Sequence, residues 1–513
     1  APAEANTTAA VTEAAKTEAE TTAAAQTEAG GEKNLVMPSA SCVANLNPLL
    51  EGYKEAAMLN PIYDPLYVID VNETRYYLAD SYEVSEDGMQ ITVKLKEGLK
   101  WHDGEAITAD DMIFTMDVCS DTNNGAGGTN IVILNDQPVK YEKVDDLTVK
   151  VTLPMASASY ADLLGGLTLI PEHVFEGNPS VVSAGEANMK GIGSGPYKVT
   201  EFKQDEYLLL EKYEDYYMGA PSIDKVTFRI ISDLSAQEVA LMNGEVNFME
   251  LANAPAVAKY EADPNFTVVK YPEGRVNYLA VNKFCETVQD PKVVEAVFAA
   301  LNRDEIIAGA YGDGMAESAN SIFSNVNSFY DPSVEGYTQD VEKAKQLVKE
   351  TGLDSKTLTL YFNSERVYMK ESAQIIQQQL KNVGINLEVI PLESAGFFEK
   401  VFGTDGDYEF YLNGYGAVGD PDQVVAGMYD GTWGVNLAVS DEVSQLWKDA
   451  RTVYTPEERA AIYKQIQIQT RDELTCYPIA YPNYVFVTTS NIKGADTIKR
   501  TPVFEDYTKL TME

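Results

Sequence analysis

An α/β chain with more than one lobe is predicted by three observations. The sequence has 513 residues, well beyond the size at which a single hydrophobic core stops growing. Strand-like and helix-like apolar periods alternate from about residue 34 to the end. Helical stretches also run directly into strand-like ones, as in an α/β unit.

Taken in order, residues 1–33 are nearly all Ala, Thr and Glu. They carry too little apolar surface to offset the entropy of ordering and read as a disordered tether. A helix in their place would have no apolar stripe to dock. The start at Ala1 rather than Met reads as processed or truncated, which suits an exported protein tethered through a lipid-bearing cysteine upstream. Met89, Ile91, Val93 and Leu95 alternate with polar residues, and so do Leu147, Val149, Val151 and Leu153; each set predicts a half-buried strand. Between them, Thr108 and Asp111 are spaced as a capping box opening a helix with Met112, Met116 and Cys119 on one face. Ala344, Leu347 and Val348 predict a helix stopped by Gly352. Ile375, Ile376 and Leu380 predict a longer one ending at Gly384, followed by an alternating strand at Ile385, Leu387 and Val389.

Composition narrows the function. Lys and Arg number 39 against 79 Asp and Glu, a formal charge of −40 that repels phosphate backbones and anionic lipid, so nucleic acid is not an expected partner. No apolar run approaches the ~18–20 residues of a membrane span. Cys42, Cys119, Cys285 and Cys476 are scattered, without zinc or thioredoxin spacing, and are compatible with bridges or with buried thiols. The two histidines, His102 and His173, lie in no catalytic motif. The Gly-Ile-Gly-Ser-Gly run at 191–195 is neither a nucleophile elbow nor a phosphate loop, and reads as a backbone turn. The 31 tyrosines are scattered and define no cofactor site. No catalytic residue, cofactor or metal is expected. Paired carboxylates among so many acids leave a secreted hydrolase as the enzyme alternative.

Several segments, in order, resemble the family 5 extracellular solute-binding proteins of bacterial ABC importers, which include dipeptide, oligopeptide and nickel receptors. They are Trp-His-Asp-Gly-Glu-Ala-Ile-Thr-Ala-Asp-Asp-Met-Ile-Phe at 101–114, Gly-Ser-Gly-Pro-Tyr-Lys at 193–198, and Tyr-Glu-Asp-Tyr-Tyr-Met-Gly-Ala-Pro at 213–221 ahead of Ile-Asp-Lys-Val-Thr-Phe-Arg at 223–229. Leu-Met-Asn-Gly-Glu-Val follows at 241–246, Val-Asn-Tyr-Leu-Ala-Val-Asn at 276–282, then a helix after Asp290-Pro291 and Leu-Asn-Arg-Asp-Glu-Ile-Ile at 301–307.

The resemblance implies a two-lobed periplasmic-binding-protein fold of type II, in the large cluster with an extra subdomain. Residues 34–50, 192–276 and 485–513 would form the core of lobe I, 51–191 its extra subdomain, and 277–484 lobe II. The outgoing hinge strand would run from Val276 to Asn282 and the returning one from Tyr484 to Thr488. Two short crossings let rigid lobes rotate about the cleft. A ligand drives closure only through its extra affinity for the closed form, and moving a 1:99 balance to 99:1 takes about 5.5 kcal/mol.

Dipeptide-binding members end a cleft segment in Gly-Asp-Pro-Asp, with an acid three residues before the Asp-Pro pair that neutralises the peptide's amino terminus. The segment here is Asn-Gly-Tyr-Gly-Ala-Val-Gly-Asp-Pro-Asp at 413–422, which puts Ala417 in the acid's place. An enclosed, unpaired ammonium costs several kcal/mol. Asp420 is the candidate to replace the anchor, although its place in the pattern suits it to shaping the Asp-Pro turn. Ser394 stands where peptide receptors tend to place a Trp over the ligand. Arg366, just after the strand predicted at 358–362, is a candidate to receive a carboxylate bidentately. Tyr415 and Trp433 are expected to line the cleft with amphipathic rings, and Asn45 is a further lining candidate.

The sequence therefore predicts a receptor that captures a small peptide or peptide-like solute and delivers it to the transmembrane permease subunits of an ABC importer. It is expected to be a monomer outside the cytoplasmic membrane, a cell-surface lipoprotein or periplasmic, touching the membrane only through its anchor. Ala417 and Ser394 favour, as an alternative, a non-peptide solute such as an oligosaccharide, a metal chelate or an opine-like conjugate. A surface protein that keeps the fold but has lost transport is a further alternative.

Overall fold

The computed structural model describes residues 32–50, 58–69, 73–416, 418–429, 437, 439–497 and 506–513. The predicted tether up to residue 31, Ala417 and Trp433 lie outside the described residues. Every local stop and start singled out in the globular sequence has its counterpart. Thr108 and Asp111 form a reciprocal capping box on the helix Ala109–Ser120, and Met112, Met116 and Cys119 are all fully buried beneath it. Gly352 ends the helix Val341–Thr351 in the left-handed conformation, at φ +69°. The helix Val367–Asn382 turns through Gly384, at φ +93°, into the strand Asn386–Leu392.

The core of the first lobe is a sheet in the order Asn34–Ser39, Lys225–Ile230, Tyr207–Lys212, Tyr197–Lys203, parallel only between the first pair. Leu35, Met37, Leu208, Leu210, Val226 and Phe228 alternate onto one buried face, where Tyr507, Leu510 and Met512 from the C-terminus complete the core. A separate antiparallel sheet, in the order Ala79–Val84, Gln90–Leu95, Thr148–Thr152, Lys140–Asp145, packs against Ala109–Ser120 over its own core, which includes Leu95, Trp101, Met112 and Val149. It forms the extra subdomain.

The second lobe is built on the strand order Arg275–Val281, Phe410–Gly416, Thr357–Asn363, Asn386–Leu392. The last three strands are mutually parallel, while Arg275–Val281 runs antiparallel to Phe410–Gly416. Helices Pro291–Ala300, Val341–Thr351 and Val367–Asn382 pack on one face. Asp441–Thr452 and Pro456–Asp472 pack on the other, burying Trp447 and Tyr463 against Phe323.

One 14-residue strand, Cys476–Thr489, belongs to both lobes. Its first half pairs with Arg275–Val281 and Ala316–Ser318, and its second half with Phe248–Glu250 and Phe266–Pro272. The residues from Tyr484 to Thr488, expected to form the returning crossing, thus already lie in the first lobe's pairing. The chain passes between lobes slightly earlier, where Pro482 accepts from the Glu273 amide at 2.9 Å. The outgoing crossing is the Glu273-Gly274 turn. Gly274 sits at φ +71°, and a Cβ there would strike the Val418 side chain, so only glycine fits. All four cysteines are free thiols, with Cys119, Cys285 and Cys476 buried.

Candidate functional site

A cavity of about 200 Å³ opens beside the outgoing crossing. Its position follows from strand direction. Thr357–Asn363 and Phe410–Gly416 are parallel, so their carboxyl ends stop on the same side, and such ends are where open α/β sheets leave room for ligands. They deliver Asn363 from one strand and Asn413, Gly414 and Tyr415 from the other. Arg275 enters from the strand antiparallel to the latter, directly opposite Gly416. Helix Val367–Asn382 begins at this edge and contributes Arg366, its N-cap residue, and Met369. Helix Ser394–Phe402 closes one wall with Phe397, Phe398 and Phe402, and Met428 completes the floor.

Two guanidinium groups dominate the electrostatics. Arg275 is held in place: its Nη2 donates to the Gly414 carbonyl at 2.6 Å and its Nε to Asn277 Oδ1 at 3.2 Å. Arg366 is exposed, and among the described residues its guanidinium has no hydrogen-bond or ion-pair partner, so its donors remain open to an incoming group. Glu273 lies in the field of both arginines. Burial pushes its carboxyl up, and Arg275 and Arg366 oppose that shift. No carboxylate is among the described residues that line the cavity.

Asn363 is almost fully buried and is fixed from two sides. Its Nδ2 donates to Ser394 Oγ at 2.8 Å, and its Oδ1 accepts from the Glu365 amide at 3.0 Å. Ser394 in turn donates to Glu365 Oε2 at 2.8 Å. Where the resemblance places a Trp over the ligand, this chain has a hydroxyl locked into a polar network, and the aromatic surface comes one and two turns later, from Phe398 and Phe402. That spacing was visible in the sequence at i+4 and i+8, and so was Arg275 beside the Glu-Gly turn. Neither signal says which way the helix or the turn faces.

Of the residues expected at the site, Tyr415 and Arg366 come together in the cavity. Tyr415 donates its hydroxyl to the Ile322 carbonyl at 2.6 Å and meets Tyr429 at 3.0 Å, which leaves its ring to the cavity side. Asp420 lies elsewhere. Its carboxylate N-caps the short helix Pro421–Val424 and is gripped by Arg459, as its turn-forming position suggested. Asn45 accepts from the Asn47 amide at 2.8 Å in a first-lobe turn and is not among the described residues that line this cavity.

The lobes also touch beside the cleft. Ser159 of the extra subdomain donates to Asp422 Oδ2 at 2.9 Å and accepts from Gln423 at 2.6 Å, and Asp162 accepts from the Asp420 amide at 3.0 Å. The two histidines are structural. His102 Nε2 meets the Gly195 carbonyl at 2.9 Å while its Nδ1 accepts from the Gly193 amide at 3.1 Å, bracing the glycine turn. His173 pairs with Asp103 at 2.8 Å. Among the described residues no three His, Cys, Asp or Glu side chains gather as a metal ion requires, and no helix is long and apolar enough to cross a membrane.

Residues 73–436 match the model of the bacterial extracellular solute-binding proteins, family 5, middle region. The chain is 27% identical over 499 residues to the dipeptide-binding protein of Escherichia coli K12, spanning 90% of this chain and 92% of that one. Among solved structures, the ABC transporter substrate-binding protein CtaP of Listeria monocytogenes superposes with a TM-score of 0.87 at 33% identity, covering 94% of this chain and 99% of the other. A putative peptide-binding protein, AppA, of Clostridium difficile gives 0.85 at 34% identity, covering 94% and 100%. With a matched region that takes in the extra subdomain, the outgoing crossing and most of the cavity, this chain belongs to the family 5 bacterial extracellular solute-binding proteins.

Proposed function

We propose that this protein is the solute receptor of an ABC importer and that it captures a peptide or peptide-like solute by a carboxylate. The observation that carries the reading is the pair Arg275 and Arg366 in one cavity, one arginine immobilised by Gly414 and Asn277 and the other unpaired among the described residues. A guanidinium fork matches a carboxylate in shape as well as charge, and a second cation nearby strengthens the site. Relatives named as dipeptide- and peptide-binding proteins support a peptide. The lobes would divide close to the expected boundaries, at the Glu273-Gly274 turn and near Pro482, and rotation about these two crossings would close the cleft. The receptor acts as a monomer outside the cytoplasmic membrane, held by a lipid anchor, presents both lobes to permease subunits, and turns over nothing.

Calorimetric titration with trialanine and with its C-terminal amide tests the reading. The acid binds at about micromolar Kd, or about −8 kcal/mol, and the amide at least about tenfold more weakly, because its neutral end forfeits the charge-assisted bonds. Equal binding of the two, or release of cleaved product, overturns it. A non-peptide carboxylate is the second reading, favoured by the lack of an acid among the described lining residues to meet a peptide's ammonium. An amine-free acid recovered from the purified protein by native mass spectrometry would decide for it.

A further inference from the structure

We infer that the cavity selects a solute whose carboxylate-bearing end carries a large apolar side chain, aromatic above all, seated on Phe398 and Phe402. The inference rests on the carboxylate reading above and adds the chemistry next to the carboxylate.

Both rings line the cavity that Arg366 enters. They stack on each other, centroids 5.7 Å apart and planes within 10°, yet remain 41% and 48% exposed. A stacked aromatic pair left this open, beside a guanidinium unpaired among the described residues, is a surface awaiting a cover. The neighbouring ring is treated differently: Phe397, at 0% exposure, packs into the lobe's core. The helix therefore buries Phe397 in the lobe and presents Phe398 and Phe402 outward.

Charge and size identify the cover. The described lining offers two cations, two asparagine amides and apolar surface, with Met369 and Met428 adding thioethers that adapt to an inserted ring. It complements a group both anionic and apolar. At about 200 Å³ the cavity is smaller than the ~300–1,000 Å³ that encloses a whole drug-sized ligand, so it takes one end of the solute. In a peptide that end is the last residue, carboxylate on Arg366 and side chain on the phenylalanines. Ser394 is consistent with this division: its hydroxyl is tied to Glu365 and Asn363, which keeps the start of the helix polar.

The test is calorimetry on the full chain with alanyl-alanyl-phenylalanine, alanyl-alanyl-glycine, and the amide of the first, repeated on Phe398→Ala and Phe402→Ala. Because both rings are exposed, the variants should fold, and circular dichroism checks this. The wild type is expected to bind the phenylalanine peptide about 10- to 100-fold more tightly than the glycine one, the worth of one buried ring, and each variant to narrow that ratio to below about threefold. If both peptides bind equally while the amide binds poorly, the carboxylate reading survives and the aromatic selection is overturned. Retention of the ratio by both variants overturns the placement on these rings. A variant that changes lobe closure in small-angle scattering while keeping the ratio shows the rings to be covered by the opposite lobe. If none of the peptides binds, both readings fall.

Discussion

Arg459 holds Asp420 with both arms of its guanidinium, Nη1 to Oδ2 at 2.7 Å and Nη2 to Oδ1 at 3.0 Å, and both side chains are more than nine-tenths buried. The Tyr463 hydroxyl donates to Asp420 as well, at 3.3 Å, and so does the Asp422 amide, at 3.0 Å. The Asp-Pro turn is thereby fastened to the helix Pro456–Asp472, and the carboxylate is committed to partners within its own lobe. Removing one partner of such a pair strands a buried charge. Arg459→Ala is expected to lower unfolding stability by about 3–5 kcal/mol, read from urea denaturation. A loss below about 1 kcal/mol, the range of exposed pairs, would show Asp420 to be solvated and available as an anchor.

Ser159 and Asp422 join the extra subdomain to the second lobe, and Asp422 is also braced by Arg451 Nε at 2.6 Å. If closure makes these bonds, they weigh only on the closed form. Ser159→Ala then gives up a hydrogen bond to a charged group, about 1.5–3 kcal/mol, and shifts the balance toward the open form by roughly tenfold or more. Small-angle scattering should show a larger radius of gyration for the unliganded variant, and ligand affinity should fall. No change in either quantity would mean that the contact persists in the open form.

Arg366→Ala is expected to weaken binding of a carboxylate-terminated peptide about 10- to 100-fold, the worth of charge-assisted bonds. Binding of the corresponding amide should be affected far less. Thermal stability should stay near that of the wild type, since the side chain is exposed and, among the described residues, unpaired. An equal loss for acid and amide would show that Arg366 shapes the cavity rather than receiving a carboxylate.

A half-buried histidine and a buried aspartate give stability opposite pH slopes. His102 is held down to about 4 by burial, so it stays neutral when folded while the unfolded chain takes up a proton near 6.5. Its contribution, of order 3 kcal/mol, is present above pH 6.5 and is lost as the pH falls toward 4. Asp64 behaves in the other sense. Burial pushes it up to about 7, against the hydroxyls of Tyr216 and Tyr217, both at 2.8 Å, and the nearby Lys96, with Asp506 adding to the rise. Its contribution is present at low pH and is lost as the pH rises from the unfolded value near 4 through 7. Asp64→Asn should therefore gain stability relative to the wild type across that interval, measured as the difference in urea midpoints at pH 5 and pH 8. A constant difference would show that Asp64 is ionised throughout.

Much of the fold was legible because its determinants are local. A capping threonine and its aspartate lie three residues apart, a helix-ending glycine follows its helix directly, and alternating strands advertise their buried face every second residue. The family's segments could also be read in order, since each is a contiguous string. The site was legible in part: Arg366 and Tyr415 stand at strand and helix ends, where sequence position and geometry coincide.

The remainder depended on which distant segments the strand order brings together. Asp420 meets Arg459 39 residues on, the Tyr415 hydroxyl is taken by Ile322 93 residues back, and Arg275 is fixed by Gly414 139 residues away. Nothing local distinguishes an aspartate that binds an amine from one that binds a buried arginine. By itself the sequence determined the helices, strands, caps and family. Only the tertiary structure decided which polar groups satisfy one another and which, like Arg366 among the described residues, keep their donors open, because a hydrogen bond is consumed by whichever partner folding brings within 3 Å or so of it.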